Sequence, residues 1–242
     1  MDLTQALIDW PFDPLNLTAR RLVGDDGKIK IQLRVDLGIM QMEYKDRPDG
    51  KRPHGFPTLL AYYRTKFQSD PTFVPGPDMV FELRQEAIQI YHRYLSLYQL
   101  KDYPAVIRDT RFNLDLINFL SKHASEGEYL LVQQHRPHVM MMNTSAKVML
   151  KIRDEEPDEA MRLVRIGMEQ IKKFYRSVLE VDQPELVPEL YQLKELQHRI
   201  TDDGVPTEIS PTESLEIELQ MALLSENYEQ AAALRDKISR TR

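Results

Sequence analysis

Lys28-Ile29-Lys30-Ile31-Gln32-Leu33-Arg34-Val35 is the chain's one clear period-two stretch, and its position near the N-terminus decides the fold class. Odd positions are apolar and even positions polar, which is the pattern of a strand with one face buried. Gly24-Asp25-Asp26-Gly27 reads as a turn before it. After Leu37-Gly38, the residues Met40, Met42 and Tyr44 alternate with Gln41, Glu43 and Lys45. Residues 17–45 are therefore expected to form a small antiparallel meander, following an opening segment that Pro11 and Pro14 interrupt.

Downstream the period changes. Residues 46–57 carry Pro48, Gly50, Pro53, Gly55 and Pro57, which forbid regular structure and predict a loop. From Thr58 onward the apolar spacing is helical. A short helix over 58–67 precedes the Pro71, Pro75 and Pro77 break. A long helix over about 79–100 follows, with Tyr91, Leu95 and Tyr98 on one face and Phe81 and Ile88 further back. Further helices are expected near 104–123, 128–152 with an interruption at Pro137, 157–179 and 184–200. The class is mainly α with an N-terminal β meander.

Three helix junctions look alike: Asp102-Tyr103-Pro104-Ala105-Val106, Glu156-Pro157-Asp158-Glu159-Ala160 and Asn227-Tyr228-Glu229-Gln230-Ala231. Each sets a polar turn before a small or branched apolar residue, and proline in a first helical turn gives up no hydrogen bond. Antiparallel helix pairs of this kind are similar to tetratricopeptide-like repeats, which stack to enclose a core and leave a groove. A plain helical bundle is the alternative. Thr201-Asp202-Asp203-Gly204-Val205-Pro206 is polar and reads as a linker, and Ser210-Pro211-Thr212-Glu213 as a capping box that starts the next helix. The expected organisation is 1–57 meander and loop, 58–200 helical-repeat body, 201–210 linker and 211–242 helical hairpin.

Composition narrows the function classes. With 42% hydrophobic and 29% charged residues, the chain reads as an ordinary soluble globular protein. It has no cysteine, which excludes disulfides and thiolate metal sites and suits a reducing cytoplasm. Neither a secretory signal nor an apolar run of about 20 residues is visible, so no membrane role is expected. The net charge of −6 repels a phosphate backbone and disfavours direct nucleic-acid contact. No phosphate-cradling glycine loop or nucleophile-elbow pattern is found, so no enzyme, cofactor or catalytic residue is expected. His135 and His138 have a spacing that can share a metal on a helix, but Pro137 lies between them and no acid is near; a satisfied or surface histidine is expected instead. Met140-Met141-Met142 reads as core or groove lining. In the 46–57 loop, Arg47, Lys51, Arg52 and His54 are candidate ligands for an anion or an acidic partner segment, against the alternative of a solvated connection pinned by Phe56.

At the C-terminus, helical spacing places Leu215, Leu219, Ala222 and Leu223 on one stripe and Ile217, Met221 and Leu224 on a second. The first stripe suffices to pack a following helix bearing Ala231, Leu234 and Ile238, which makes Ile217, Met221 and Leu224 candidates for contact with another protein. Tyr228, Glu229, Ala231, Ala232, Leu234, Arg235 and Asp236 resemble the UVR motif, the helical hairpin shared by the excision-repair proteins UvrB and UvrC and by regulators of bacterial protein degradation. Arg34-Val35-Asp36-Leu37-Gly38 and Arg47-Pro48-Asp49-Gly50 are similar to segments of uncharacterised bacterial UVR-domain proteins. The resemblance implies a bacterial cytoplasmic adaptor without chemistry of its own, in DNA repair or regulated proteolysis. It implies a second UVR hairpin or an AAA+ machine as partner, with recognition by Tyr228, Glu229, Leu234, Arg235 and Asp236. A second copy of the chain is an admissible partner too. Two other readings stay open: a nucleic-acid-associated factor using loop 45–54 with Arg235, Lys237, Arg240 and Arg242, and a purely structural hairpin.

Overall fold

The computed structural model describes residues 3–70, 72–76, 78–181, 184, 187–203, 215, 232, 234–235 and 237–238. Among these the chain is mainly helical with a three-stranded antiparallel sheet near its N-terminus. The order is α1 (Leu3–Leu7), β1 (Ala19–Val23), β2 (Ile29–Val35), β3 (Gly38–Glu43), a single 3-10 turn at Pro53–Gly55, α2 (Leu59–Ser69), α3 (Met79–Gln99), α4 (Tyr103–His123), α5 (Glu126–Gln133), α6 (Arg136–Arg153), α7 (Pro157–Val178) and α8 (Pro188–Asp203). Two compact units divide between Ala146 and Lys147, inside α6. Composition had set the boundaries elsewhere; the sheet packs on α3, so the meander and the first helices share one unit.

In the first unit, β2 is the central strand, with Ile31 facing Arg21 on β1 and Met42 on β3. Ile31, Leu33 and Met42 are buried, as the alternation predicts, but Lys30 and Gln32 on the other face are buried too. Their polar ends are satisfied across the sheet. Gln32 accepts from Arg20 (2.7 Å) and donates to Gln41 (2.8 Å), and Lys30 bonds Asp26 (2.7 Å) and Glu43. Lys30's aliphatic stem can lie along the sheet while its ammonium is paired. A strand with one solvated face is thus corrected to a strand covered on both.

Helices α3 and α4 run antiparallel, and with α2, α5 and the start of α6 they enclose a core that includes Leu60, Leu83, Leu116, Leu120, Val132 and Val139. Along α3 the buried stripe is Met79, Leu83, Glu86, Ile90, Arg93, Tyr94 and Leu97. Phe81 and Ile88 lie on another side, 63% and 44% exposed. Two charged residues on the deepest stripe hid it from a reading based on apolar spacing.

Local chemistry sets the helix ends. The Thr58 hydroxyl accepts from the Ala61 amide (3.1 Å) and the Asp102 carboxylate from the Ala105 amide (3.3 Å), and Ser125 with Glu128 forms a reciprocal capping box. The interruption expected at Pro137 within 128–152 falls at 134–135, between α5 and α6. Proline clashes with the carbonyl four residues earlier, that of Gln133, where α5 ends. Pro137 then sits harmlessly in the first turn of α6.

Two of the three similar junctions have the same geometry. Lys101 and Glu155 adopt φ of 56° and 60°, in the left-handed region. The amides of Asp102 and Glu156 then bond the Leu97 and Lys151 carbonyls (both 2.9 Å), while those of Lys101 and Glu155 bond the Tyr98 and Ile152 carbonyls. This is the double closure of a Schellman motif, with a charged residue where glycine is usual. The third junction, 227–231, lies outside the described residues.

In the second unit α7 and α8 form an antiparallel pair. Ala160, Val164, Gly167, Met168 and Ile171 are buried on α7, and Leu190, Leu193, Leu196 and Ile200 on α8. Tyr175 donates to Glu189 (3.0 Å).

Candidate anion-binding cavity

A cavity of about 430 Å³ opens where the β2–β3 hairpin meets the following loop. The hairpin contributes Lys28, Ile29, Glu43 and Tyr44; the loop contributes Lys45, Asp46, Arg47, Gly50, Lys51 and Arg52.

The loop backbone is held from α3 and α4 by buried charge. Arg93, 2% exposed, makes a two-pronged ion pair with Asp109 (2.7 and 2.9 Å). Its remaining terminal nitrogen, Nη1, donates to the carbonyls of Glu43 (2.9 Å) and Asp46 (2.7 Å). Arg108 also bonds Asp109 (2.8 Å) and donates to the Tyr44 carbonyl (2.8 Å). Three carbonyls at the turn out of β3 are thereby taken by guanidinium donors, which supports the left-handed backbone at Asp46 (φ 55°). The Tyr44 ring lies near the guanidinium groups of Arg21 (5.3 Å) and Arg108 (5.2 Å), and its hydroxyl donates to Asp102 (2.8 Å). Burial and the Asp102 carboxylate both raise the Tyr44 pKa, so the phenol stays neutral.

Glu86 is the second anchor. It is fully buried and accepts from the Leu59 (2.8 Å) and Leu60 (3.1 Å) amides at the start of α2 and from Arg47 (3.1 Å). A carboxylate at a helix N-terminus satisfies orphan amides and opposes the dipole. Burial nonetheless pushes the Glu86 pKa above its ordinary value, against the pull of those amides and Arg47. Arg47 also grips Asp49 (2.9 and 3.0 Å). Burial opposes ionisation of Asp49, but the Lys51 amide and Arg47 outweigh it and hold the carboxyl below its ordinary range.

The four residues expected to hold an anion are therefore divided. Lys51 and Arg52 are exposed and line the cavity. Arg47 lines it as well, but its charge is committed to Glu86 and Asp49. His54 stacks on Tyr62 with ring centroids 4.0 Å apart, and Phe56 meets the same ring edge-on. Lys28 was missed, and Lys45 entered only as the first residue of the 45–54 loop in the nucleic-acid reading. The hairpin register carries the signal: Lys30 faces Glu43 and the Tyr44 amide bonds the Ile29 carbonyl (3.3 Å), which brings Lys28 and Lys45 to the same end of the hairpin, where both line the cavity.

Elsewhere, Met141 and Met142 are buried as core. His138 is half-buried, lies near Tyr91 (5.8 Å) and has an Nε2 without a hydrogen-bond partner. Burial, with His135 adding to it, pushes His138 down to about 4. No group of three or more metal-ligating side chains occurs among the described residues, and no helix there is long and apolar enough to cross a membrane.

Of the expected protein-binding residues, Leu234 is 4% exposed, as is Leu215, while the neighbouring Arg235 is exposed. Residues 232, 234–235 and 237–238 are helical. Tyr228, Glu229, Asp236, Ile217, Met221 and Leu224 lie outside the described residues.

No protein-family model, curated protein or solved structure matches this chain.

Proposed function

We propose that this chain is a non-catalytic adaptor that docks onto another protein through its UVR-like C-terminal hairpin, with a second such hairpin or an AAA+ machine as the partner class. The observation that carries this reading is the contrast between adjacent residues of the motif: Leu234 is buried and Arg235 is exposed on a helical segment. A docking hairpin needs an apolar anchor that fixes it and a charged group presented beside it. The antiparallel pairs α3–α4 and α7–α8, with one junction geometry recurring at Lys101 and Glu155, favour a stacked-helix body that carries the hairpin.

Exposure makes Arg235→Glu the informative variant, since Leu234 is packed. A crosslinked pull-down from a bacterial lysate with full-length protein should lose a specific partner on that substitution while the circular dichroism stays helical. Retention of the same partners by the variant would sink the proposal. Partner loss that appears with rising salt alone points instead to phosphate-backbone contact, which weakens steeply as counterions compete.

A further inference from the structure

We propose that the cavity between the β2–β3 hairpin end and the 45–52 loop is a binding site for a phosphorylated small molecule. Five cations and two carboxylates line it. Glu43 is occupied by Lys30, and Arg47 by Asp49 and Glu86. What remains is Lys28, Lys45, Lys51 and Arg52 against Asp46, four positive charges to one negative. Lys28 has a loose contact with Asp26 at 4.0 Å, and the other three make no salt bridge among the described residues.

Lys28 and Lys45 lie just beyond the strand ends and both line the cavity, where like charges repel unless an anion is shared between them. In a chain of net charge −6, such a concentration of positive charge is a local exception. Places where a sequence works against its own stability are where binding is expected.

The geometry selects the ligand. A phosphomonoester carries about −1.5 to −2 at neutral pH, enough to neutralise two of the lining lysines, where a single carboxylate supplies one charge. The cavity volume falls in the range of about 300–1,000 Å³ typical of small-molecule sites. It is a concavity open on one side rather than an extended stripe, which suits a compact ligand better than a polymer backbone. Tyr44 and Ile29, the latter 39% exposed, supply apolar surface for the organic part. The Gly50 and Lys51 amides are spent on the Arg47 carbonyl (3.0 Å) and the Asp49 carboxylate (3.0 Å), so recognition falls to side chains on a backbone fixed by Arg93 and Arg108.

The test is titration calorimetry of the full-length chain with inorganic phosphate and ribose 5-phosphate at low ionic strength. Saturable binding of ribose 5-phosphate at one site, displaced by inorganic phosphate, is the expected result. Arg52→Glu and Lys45→Glu should each weaken it about tenfold or more, whereas Lys173→Glu on α7 should leave it unchanged. Lys45→Glu should also raise the melting temperature of the unliganded chain, because it relieves repulsion in an uncompensated cluster of positive charge. No saturable heat, equal weakening by Lys173→Glu, or a lower melting temperature in Lys45→Glu overturns the proposal. Tighter binding of a hexaglutamate peptide or an oligothymidylate at the same residues also overturns it, in favour of an acidic partner segment or a nucleic acid.

Discussion

Residues 1–146 bury Glu86, Arg93 and Asp109 at 0–2% exposure, whereas every described residue buried in 147–242 is apolar. The first unit has to hold an irregular loop and a strand end in fixed positions, and irregular backbone offers no repeating ladder to do it. Buried guanidinium and carboxylate groups supply directional bonds to named carbonyls and amides. The second unit's described helices pair along continuous stripes, for which non-directional burial is sufficient. Buried polar groups thus mark where the fold specifies a position rather than merely excluding water.

Breaking the Arg93–Asp109 pair gives the largest expected effect. Arg93→Met leaves Asp109 without its main partner and frees the carbonyls of Glu43 and Asp46, and should cost about 3–5 kcal/mol by urea denaturation. Adding Asp109→Leu should recover part of that stability without restoring the loop. In the second unit, Leu193→Ala removes fully buried methyl groups and should cost about 2–5 kcal/mol, and no charged residue is buried among the described residues there.

A pH scan sharpens the contrast. His138 is held at about 4 in the folded chain against an ordinary 6.5, so between those values only the unfolded chain takes up the proton. The stability contribution is intact above 6.5 and is lost as pH falls toward about 4, by at most about 3 kcal/mol. His138→Gln should flatten that slope in denaturation midpoints. If the slope persists in the variant, other groups carry it.

Smaller effects complete the series. Glu155→Gly relieves a left-handed backbone and should stabilise by about 0.5–1 kcal/mol in thermal melts. Arg162→Ala removes an exposed pair with Glu159 on α7 and should leave the melting temperature within measurement error.

Most of the architecture was readable because it depends on local patterns: the alternation in 28–35, the helical spacing from Thr58 onward and the prolines at 104 and 157. What escaped reading was tertiary. Glu86 and Arg93 look like a solvated helix face until their partners at Leu59, Leu60, Arg47 and Asp109 are known, since burial of a charge is set by what packs against it. Arg47 looked available for the same reason. Lys28, far in sequence from Lys45, needed the strand register to be placed at the same end of the hairpin.

The hold on residues 43–46 has a further consequence for how this chain can vary. Arg93 and Arg108 grip carbonyl oxygens, which every amino acid supplies alike, so this hold does not itself depend on the side chains borne there. Lys45, and by their exposure Lys51 and Arg52, can be exchanged one at a time without asking the helices beneath to repack. The cavity is a socket with interchangeable fittings, in which drift or engineering can retune the preferred guest while the mount stays bolted in place.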